Sequence, residues 1–182
     1  MKAKLRPLEM NDLDNVMSWV NNPDVIGNFQ NFKMPISRAN EAKYLETLLA
    51  SENDKVFAIE AEDGKYIGDI GIHQIHWPSR NGRIALIIGN KDYWGKGYAQ
   101  SAMQEIERLG FEQYNLHKLW LIVWEENKKA RHIYQKAGFK EEGVLRDEYF
   151  HNGKFHNMIR MSMLENEYRN AAEQSTAAKG VA

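Results

Sequence analysis

The chain contains 182 residues, of which 43% are hydrophobic and 27% charged, a composition typical of one globular domain with a substantial core. Its formal net charge of −1 argues against nucleic-acid binding, and the absence of cysteine excludes disulfides, thiolate nucleophiles and Cys-ligated metals. It has no run of 18 apolar residues and no apolar targeting segment, so we expect a cytoplasmic protein with no membrane partner.

The first half of the chain predicts a strand, two helices and a group of hairpins. Residues 3–6 predict a short strand, and Asn11 predicts a helix start with Asp14 as its capping partner. A loop over 21–36 follows, and Ser37 predicts the N-cap of the second helix. Three further strands, separated by the turn signals Asp63-Gly64 and Asn81-Gly82, are predicted over 56–61, 66–77 and 84–89.

The second half alternates helix and strand. Apolar residues at helical spacing predict a helix over 99–114, the wholly apolar segment 119–124 predicts a buried strand, and Gly138 predicts the end of another helix. The signal Asn152-Gly153 predicts a final hairpin. This order of about seven strands and about four helices predicts a single α/β or α+β domain with a mixed sheet. We place that domain at 1–168 and expect a frayed or disordered tail over 169–182.

The stretch YWGKGYAQSAM (93–103) places two glycines directly before a predicted helix. The first N–H groups of a helix lack intrahelical partners, and glycines let a phosphate approach them closely. The stretch therefore predicts a phosphate-binding loop, with a plain turn as the alternative. The spacing excludes a Walker A loop, because five residues separate Gly89 from Gly95 and Gly97 follows Lys96. The third glycine of a dinucleotide-binding fingerprint is also missing, since Gln100 stands in its place.

Two motifs carry a resemblance to a known family. The pattern Trp94-x-x-Gly97-x-Ala99 resembles the acetyl-coenzyme A signature of the GNAT superfamily of N-acetyltransferases, Gln/Arg-x-x-Gly-x-Gly/Ala, with Trp in the first position. The segment NKKARHIYQKAGFKEEG (127–143) resembles the family's second hallmark. The similarity extends over 4–168 and is greatest to the spermidine N-acetyltransferases, with the ribosomal-protein alanine N-acetyltransferases as a related branch. It implies a GNAT-like, mostly antiparallel central sheet.

The resemblance also implies acetyl-CoA as cosubstrate, and neither histidine spacing nor carboxylate pairing predicts a metal site. Backbone N–H groups of the glycine-rich stretch would hold the pyrophosphate, and the end of the preceding strand would hold the pantetheine arm and polarise the thioester carbonyl. Asn127 would contact the cofactor through its amide, and a helix N-cap role fits it equally well. The cofactor-binding residues implied are Ile87, Ile88, Gly89, Trp94, Gly95, Lys96, Gly97, Tyr98, Ala99, Gln100, Asn127 and Tyr134.

The resemblance assigns Tyr134 as the general acid that protonates the departing thiolate, and a core tyrosine is the alternative reading. The general base stays open. Spermidine N-acetyltransferases carry a Glu near the position of Ile84, and no acid lies within 82–89 of this chain. His73, His76 and a relay of waters are the candidates.

The acceptor end departs from the family pattern. Spermidine enzymes resemble one another in an acidic patch after the first helix, whereas 27–35 contains no acid here, which leaves Glu41 and Glu46 as replacements. As an alternative, aromatic residues would line an acceptor pocket suited to an amino sugar or a peptide N-terminus. These residues are Trp19, Phe29, Phe32, Trp77 and Tyr149.

We therefore predict an acetyl-CoA-dependent N-acetyltransferase acting on a primary amine of a small molecule, either a polyamine such as spermidine or an amino sugar. A protein N-terminal acetyltransferase, a catalytically silent CoA-binding domain and a nucleotide-binding module are the alternatives. Edge strands of this fold often pair between subunits, so a homodimer is compatible with it.

Overall fold

A computed structural model describes residues 2–27 and 35–179, with side chains as far as residue 174. Seven strands belong to one sheet, and every pairing whose register is recorded is antiparallel, which confirms the predicted fold class. The strands are β1 (Lys4–Pro7), β2 (Lys55–Glu60), β3 (Tyr66–His76), β4 (Asn81–Ile88), β5 (Lys118–Trp124), β6 (Lys140–His151) and β7 (Lys154–Leu164).

The described residues contain six α-helices, two more than the sequence predicts, because the short α2 and the C-terminal α6 lie where a loop and a tail are expected. The helices are α1 (Leu13–Met17), α2 (Pro23–Ile26), α3 (Arg38–Leu49), α4 (Tyr98–Arg108), α5 (Lys128–Ala137) and α6 (Glu165–Lys179). The chain divides into two compact units, the first formed by 1–75 with 83–106 and the second by 76–82 with 107–182.

In the first unit the strand order is β1-β2-β3-β4, with α1, α2 and α3 preceding β2 in the chain. Buried Leu13 and Leu45 pack with Leu8 and Ala58. The pairing of β2 with β3 shifts by one residue near the start of β3, because Ile59 faces Gly68 while Glu60 faces Tyr66. One extra residue in a strand reverses the alternation of side chains between the two faces of the sheet.

The start of the first helix differs from the prediction at Asn11. A 3₁₀ turn (Met10–Asp12) precedes α1, and Glu9 and Asp12 form the reciprocal capping box instead. Arg6 holds Asp12 through two 2.7 Å hydrogen bonds, which lower the pKa of that carboxyl against the effect of its burial. The predicted N-cap of the next helix is confirmed, since Ser37 accepts a hydrogen bond from the N–H of Asn40.

In the second unit the strand order is β5-β7-β6. Asn152 and Gly153 both adopt positive φ, as a tight hairpin turn requires, so the predicted β6–β7 hairpin is confirmed. The turn predicted at Asn81-Gly82 lies earlier, because a 3₁₀ turn over Trp77–Ser79 reverses the chain and Asn81 already begins β4.

Two helical segments also differ from their predicted extent. Helix α4 ends at Arg108 and continues as a π turn over Leu109–Gln113, within the helix predicted over 99–114. Helix α6 runs through 169–179 of the expected tail. Its Ala and Gln residues favour helix, and Arg169 pairs with Glu165 one turn earlier.

Candidate active site

The glycine-rich stretch forms a loop between β4 and α4, which we call the glycine loop (residues 94–97). Gly95 has φ of 73° and Gly97 has φ of 85°, values that side chains with a Cβ rarely adopt. A Cβ built on either glycine would meet no atom within 4 Å. Backbone conformation, rather than a close approach inside the protein, therefore requires glycine here, and the space in front of these residues can admit a ligand.

The glycine loop leads directly into the N-terminus of α4. The first helical hydrogen bond runs from the N–H of Ser101 to the carbonyl of Gly97 at 3.1 Å, so the N–H groups of Tyr98, Ala99 and Gln100 precede it. Such groups carry the positive end of the helix dipole. This half of the predicted site has the donor set that a pyrophosphate requires.

Side chains hold the glycine loop in place. The indole N–H of Trp94 donates a 2.7 Å hydrogen bond to the carbonyl of Ile88, the last residue of β4. Lys96 is exposed, and its ammonium lies 5.3 Å from the ring centre of Tyr93, within cation–π range. The charge of Lys96 is therefore available beside the glycine loop.

The end of β4 is packed closely against β3 and the residues after α1. A Cβ on Gly68 would lie 2.1 Å from the carbonyl oxygen of Ile87, and one on Gly89 would lie 2.3 Å from the indole of Trp19. Both glycines are required because neighbouring backbone or ring atoms occupy that space. The segment predicted to hold the pantetheine arm, 87–89, is thus rigidly positioned within the first unit.

The remaining residues predicted to contact the cofactor lie in the second unit. Asn127 is the N-cap of α5, and its side-chain oxygen accepts a 3.1 Å hydrogen bond from the N–H of Ala130. Tyr134 lies in the last turns of α5, which ends at left-handed Gly138 as predicted. Burial raises the pKa of the Tyr134 phenol to about 12, so the hydroxyl stays protonated at neutral pH.

Each histidine proposed as a base uses one ring nitrogen in a local interaction. Nδ1 of His73 lies 3.0 Å from Asp54, whose carboxylate also accepts hydrogen bonds from Ser51 and from the N–H of Gln74. Burial lowers the pKa of His73. His76 is exposed and uses Nδ1 to accept a hydrogen bond from Ser79 in the 3₁₀ turn. Both rings serve the local structure.

The acceptor-site candidates separate by burial. Glu41 is buried in the first turn of α3, and burial raises the pKa of its carboxyl, whereas Glu46 is exposed. Trp19 is buried in the first unit. Of the other predicted aromatic walls, Trp77 is exposed and Tyr149 is buried beside Trp124 in the second unit, while Phe29 and Phe32 lie outside the described residues.

One carboxylate in the first unit escaped the sequence analysis. Asp69 accepts a 2.7 Å hydrogen bond from the hydroxyl of Tyr66, and its other oxygen, Oδ1, is buried with no hydrogen-bond partner among the described residues. The only signal in the sequence is one acid inside the apolar stretch YIGDIGI (66–72). Its pairing with Tyr66 depends on the register slip at the start of β3, which no local pattern announces.

Within the described residues, no group of three or more His, Asp or Glu side chains is placed to hold a metal ion. Among the described helices, none is long and apolar enough to cross a membrane. The predicted cytoplasmic location stays a prediction.

Comparison with known proteins gives related sequences over most of the chain. A spermidine N(1)-acetyltransferase of Escherichia coli (strain K12) is 37% identical over 167 residues, covering 91% of this chain and 88% of the relative. A spermidine N(1)-acetyltransferase of Vibrio cholerae serotype O1 is 32% identical over 170 residues, covering 93% and 96%. A putative ribosomal N-acetyltransferase of Bacillus subtilis (strain 168) is 30% identical over 106 residues, covering 58% of this chain and 57% of the relative.

The three-dimensional comparison agrees. The crystal structure of spermidine N-acetyltransferase from Vibrio cholerae in complex with CoA and spermine matches with a TM-score of 0.86 at 29% identity, covering 92% of this chain and 98% of that one. The family model described as an acetyltransferase (GNAT) domain matches residues 2–140. Together with the two sequence motifs and the fold, these matches show that the chain is an enzyme of the GNAT family of N-acetyltransferases.

Proposed function

We propose that this GNAT enzyme transfers acetyl from acetyl-CoA directly to a primary amine of a polyamine such as spermidine, with an amino sugar as the other small-molecule acceptor. The observation that carries the proposal is the left-handed glycine pair, Gly95 and Gly97, in front of α4. That geometry supports pyrophosphate binding by backbone N–H groups, and GNAT enzymes use acetyl-CoA as donor.

The first unit supplies the donor-binding half. Backbone N–H groups from Gly95 to Gln100 hold the pyrophosphate, and Lys96 adds positive charge. The main chain of 87–89 lies along the pantetheine arm, and a backbone N–H in this segment polarises the thioester carbonyl. Trp94 keeps the glycine loop fixed to β4 through its hydrogen bond to Ile88.

The segment that resembles the family's second hallmark, 127–143, supplies the proton for the leaving group. Tyr134 donates its phenolic proton to the CoA sulfur as the carbon–sulfur bond breaks. A pKa near 12 ensures that the phenol carries this proton throughout the useful pH range. Asn127 uses its side-chain oxygen as the N-cap of α5, which leaves its amide N–H groups for the cofactor.

The acceptor is proposed on charge and on relatedness. A polyamine carries several ammonium groups, and the first unit holds Glu41 and Asp69 near enough for the charge of one to raise the pKa of the other. Relatives named as spermidine acetyltransferases cover almost the whole chain, whereas the putative ribosomal relative covers just over half of it. These facts favour a polyamine over a protein N-terminus. A homodimer stays a prediction.

The test is the release of free thiol from acetyl-CoA with a panel of acceptors: spermidine, an amino sugar, and peptides with N-terminal Ala or Ser. Wild type is compared with Tyr134→Phe and with Tyr114→Phe, which also removes a tyrosine hydroxyl but lies in the segment after α4. We expect release with spermidine, little with peptides, a fall of about 10²- to 10⁴-fold in kcat for Tyr134→Phe, and wild-type rates for Tyr114→Phe.

Each other outcome points to one alternative. Release with peptides alone would replace the polyamine by a protein N-terminus. Tight binding of acetyl-CoA without release for any acceptor would favour a silent CoA-binding domain. Binding of ATP in preference to acetyl-CoA would revive the nucleotide-binding module.

A further inference from the structure

The first unit contains a carboxylate whose surroundings are incomplete. Oδ2 of Asp69 accepts the 2.7 Å hydrogen bond from Tyr66, while Oδ1 is buried and has no partner among the described residues. A buried carboxylate oxygen without a hydrogen-bond partner is costly. A donor brought by a ligand would satisfy it.

Asp69 stands directly beside the segment assigned to the donor. Its neighbour Gly68 packs against β4 so closely that a Cβ would lie 2.1 Å from the carbonyl oxygen of Ile87 and 2.9 Å from the Cα of Ile88. Beside Gly68, the carbonyl of Ile67 accepts a 3.1 Å hydrogen bond from the N–H of Asn90. Asp69 is therefore fixed next to the main chain that, in the proposed function, lies along the thioester.

Trp19 packs between the surroundings of Asp69 and the end of β4. Its indole packs against Gly89 and belongs to an apolar cluster that includes Tyr66 and Ile87. Tyr66 therefore packs against that cluster and donates its hydroxyl hydrogen bond to the Asp69 carboxylate. The arrangement positions one carboxylate oxygen through Tyr66 and leaves the other for a ligand.

The electrostatic environment suits a group that exchanges a proton near neutral pH. Burial raises the pKa of Asp69 to about 7, against the Tyr66 hydrogen bond, which lowers it. The charges of Asp12, before α1, and Glu41, on α3, add to the rise, and Arg6 on β1 opposes it. A base works best when its pKa lies near the operating pH.

We propose that Asp69 is the general base of the acetyl transfer and that its Oδ1 binds the acceptor ammonium. Asp69 takes one proton from the ammonium, which frees the nitrogen lone pair to attack the thioester carbonyl carbon. As the carbon–nitrogen bond forms and the carbon–sulfur bond breaks, Tyr134 protonates the sulfur, and the second proton lost by the nitrogen passes through solvent to restore the Tyr134 phenol. The proton on Asp69 then leaves to solvent, so each turnover releases one proton overall.

This inference rests on the proposed function and fills the role left open by the missing acid near Ile84. The two histidine candidates lie outside the segment 67–69 that packs against 87–89: His73 pairs with Asp54 through Nδ1, and His76 caps a turn in the other unit. Asp69 is the described carboxylate next to 87–89 that combines an unpartnered buried oxygen with a raised pKa.

The experiment compares Asp69→Asn, Asp69→Glu and Glu107→Gln with wild type. Glu107→Gln is a matched control, because it removes another buried carboxyl with a raised pKa, located near the end of α4 and in the second unit. Steady-state kinetics are measured with spermidine and with a fluorinated alkylamine, whose ammonium is far more acidic. Calorimetry gives the dissociation constant for acetyl-CoA, and near-ultraviolet circular dichroism reports folding.

We expect Asp69→Asn to lower kcat for spermidine by about 10²- to 10⁴-fold and to leave the acetyl-CoA dissociation constant unchanged within about twofold. The loss with the fluorinated amine should be at least about tenfold smaller, because that acceptor arrives already deprotonated. Asp69→Glu should retain part of the activity, and Glu107→Gln should retain all of it.

Two results would overturn the assignment. One is a kcat for Asp69→Asn within about threefold of wild type. The other is an equal loss of kcat with both amines, either in Asp69→Asn or in a folded Asp69→Glu variant. The proposed function fails separately, since wild type would then release no thiol with any amine. If Asp69→Asn were poorly folded, the ratio of the two amine rates in Asp69→Glu would decide the matter.

Discussion

The indole N–H of Trp94 donates a 2.7 Å hydrogen bond to the carbonyl oxygen of Ile88. Trp94 begins the glycine loop and Ile88 ends β4, so this bond ties the glycine loop to the strand that precedes it. The family signature has Gln or Arg at this position, and both are also hydrogen-bond donors. The tryptophan preserves the donor and adds a ring, whose centre lies 6.0 Å from the ammonium of Lys91.

Replacing Trp94 by Phe keeps an aromatic ring and removes only the donor. A neutral hydrogen bond contributes about 0.5–1.5 kcal/mol, so the dissociation constant for acetyl-CoA should rise by about two- to tenfold, with a smaller change in kcat. Calorimetry with acetyl-CoA measures the effect. Trp120→Phe on β5 is the control and should leave binding unchanged. Unchanged binding in Trp94→Phe would mean that the glycine loop holds its shape without this bond.

Two glycine-to-alanine variants separate the cost of a left-handed backbone from an effect on ligand binding. Gly97→Ala places a Cβ at φ of 85°, and Gly153→Ala does so at φ of 79°, each without a contact within 4 Å. Both variants should lose about 1–2 kcal/mol of folding free energy, because a left-handed backbone is unfavourable for Ala.

Only Gly97→Ala should also weaken acetyl-CoA binding, by about tenfold or more, since its methyl group enters the space proposed for the pyrophosphate. Urea unfolding and calorimetry on both variants give the two quantities. Equal acetyl-CoA affinities for the two variants would remove Gly97 from the cofactor site.

The pH profile of kcat tests the proton donor. With the pKa of Tyr134 raised by burial to about 12, the phenol remains protonated well above neutral pH. The wild-type rate should therefore show no alkaline fall up to about pH 10. Stopped assays of free thiol at saturating acetyl-CoA measure the profile. A fall centred near pH 9 that disappears in Tyr134→Phe would show that the phenol ionises far more readily than its burial implies.

Glu107 makes the stability of the fold depend on pH. Its side chain is buried near the end of α4, Oε1 has no partner among the described residues, and burial raises the pKa from 4.5 to about 8. Between these two values the folded protein keeps a proton that the unfolded chain releases, so the free energy of unfolding falls as pH rises. Below pH 4.5 this cost is absent, and above pH 8 it is complete.

Glu107→Gln removes this dependence. The variant's free energy of unfolding minus that of wild type should increase from pH 5 to pH 9. The increase is at most about 5 kcal/mol, at about 1.4 kcal/mol per pK unit. Urea unfolding at the two pH values measures the gain. Glu46→Gln, at an exposed position on α3, should change little at either pH. A gain that is equal at both pH values would contradict a raised pKa.

Local signals in the sequence predicted much of this structure correctly. Ser37 and Asn127 cap their helices, Gly138 ends α5, and Asn152-Gly153 forms the β6–β7 turn. Each depends on the dihedral angles and hydrogen bonds of a few consecutive residues, which amino-acid identity strongly limits. The glycine loop belongs to the same class, because a left-handed pair before a helix needs no distant partner.

Signals that depend on competition between neighbouring elements were less reliable. Asn81-Gly82 is a strong turn signal, yet the 3₁₀ turn over Trp77–Ser79 reverses the chain first. Asn11 is a good N-cap residue, but the capping box of Glu9 and Asp12 begins the helix earlier, and Arg6 on β1 fixes Asp12 from outside it. Tertiary contacts decided both positions.

The sequence by itself determined the family motifs, the order of the seven strands, and the residues that shape the glycine loop. The tertiary structure decided which acids are buried and which are solvated. Asp69 and Glu41 look like ordinary charged residues in the sequence, and Glu46 is not distinguishable from Glu41 there. Only tertiary packing removes water from the first two, because burial depends on residues far apart in the chain. The raised pKa of Asp69 follows from that burial.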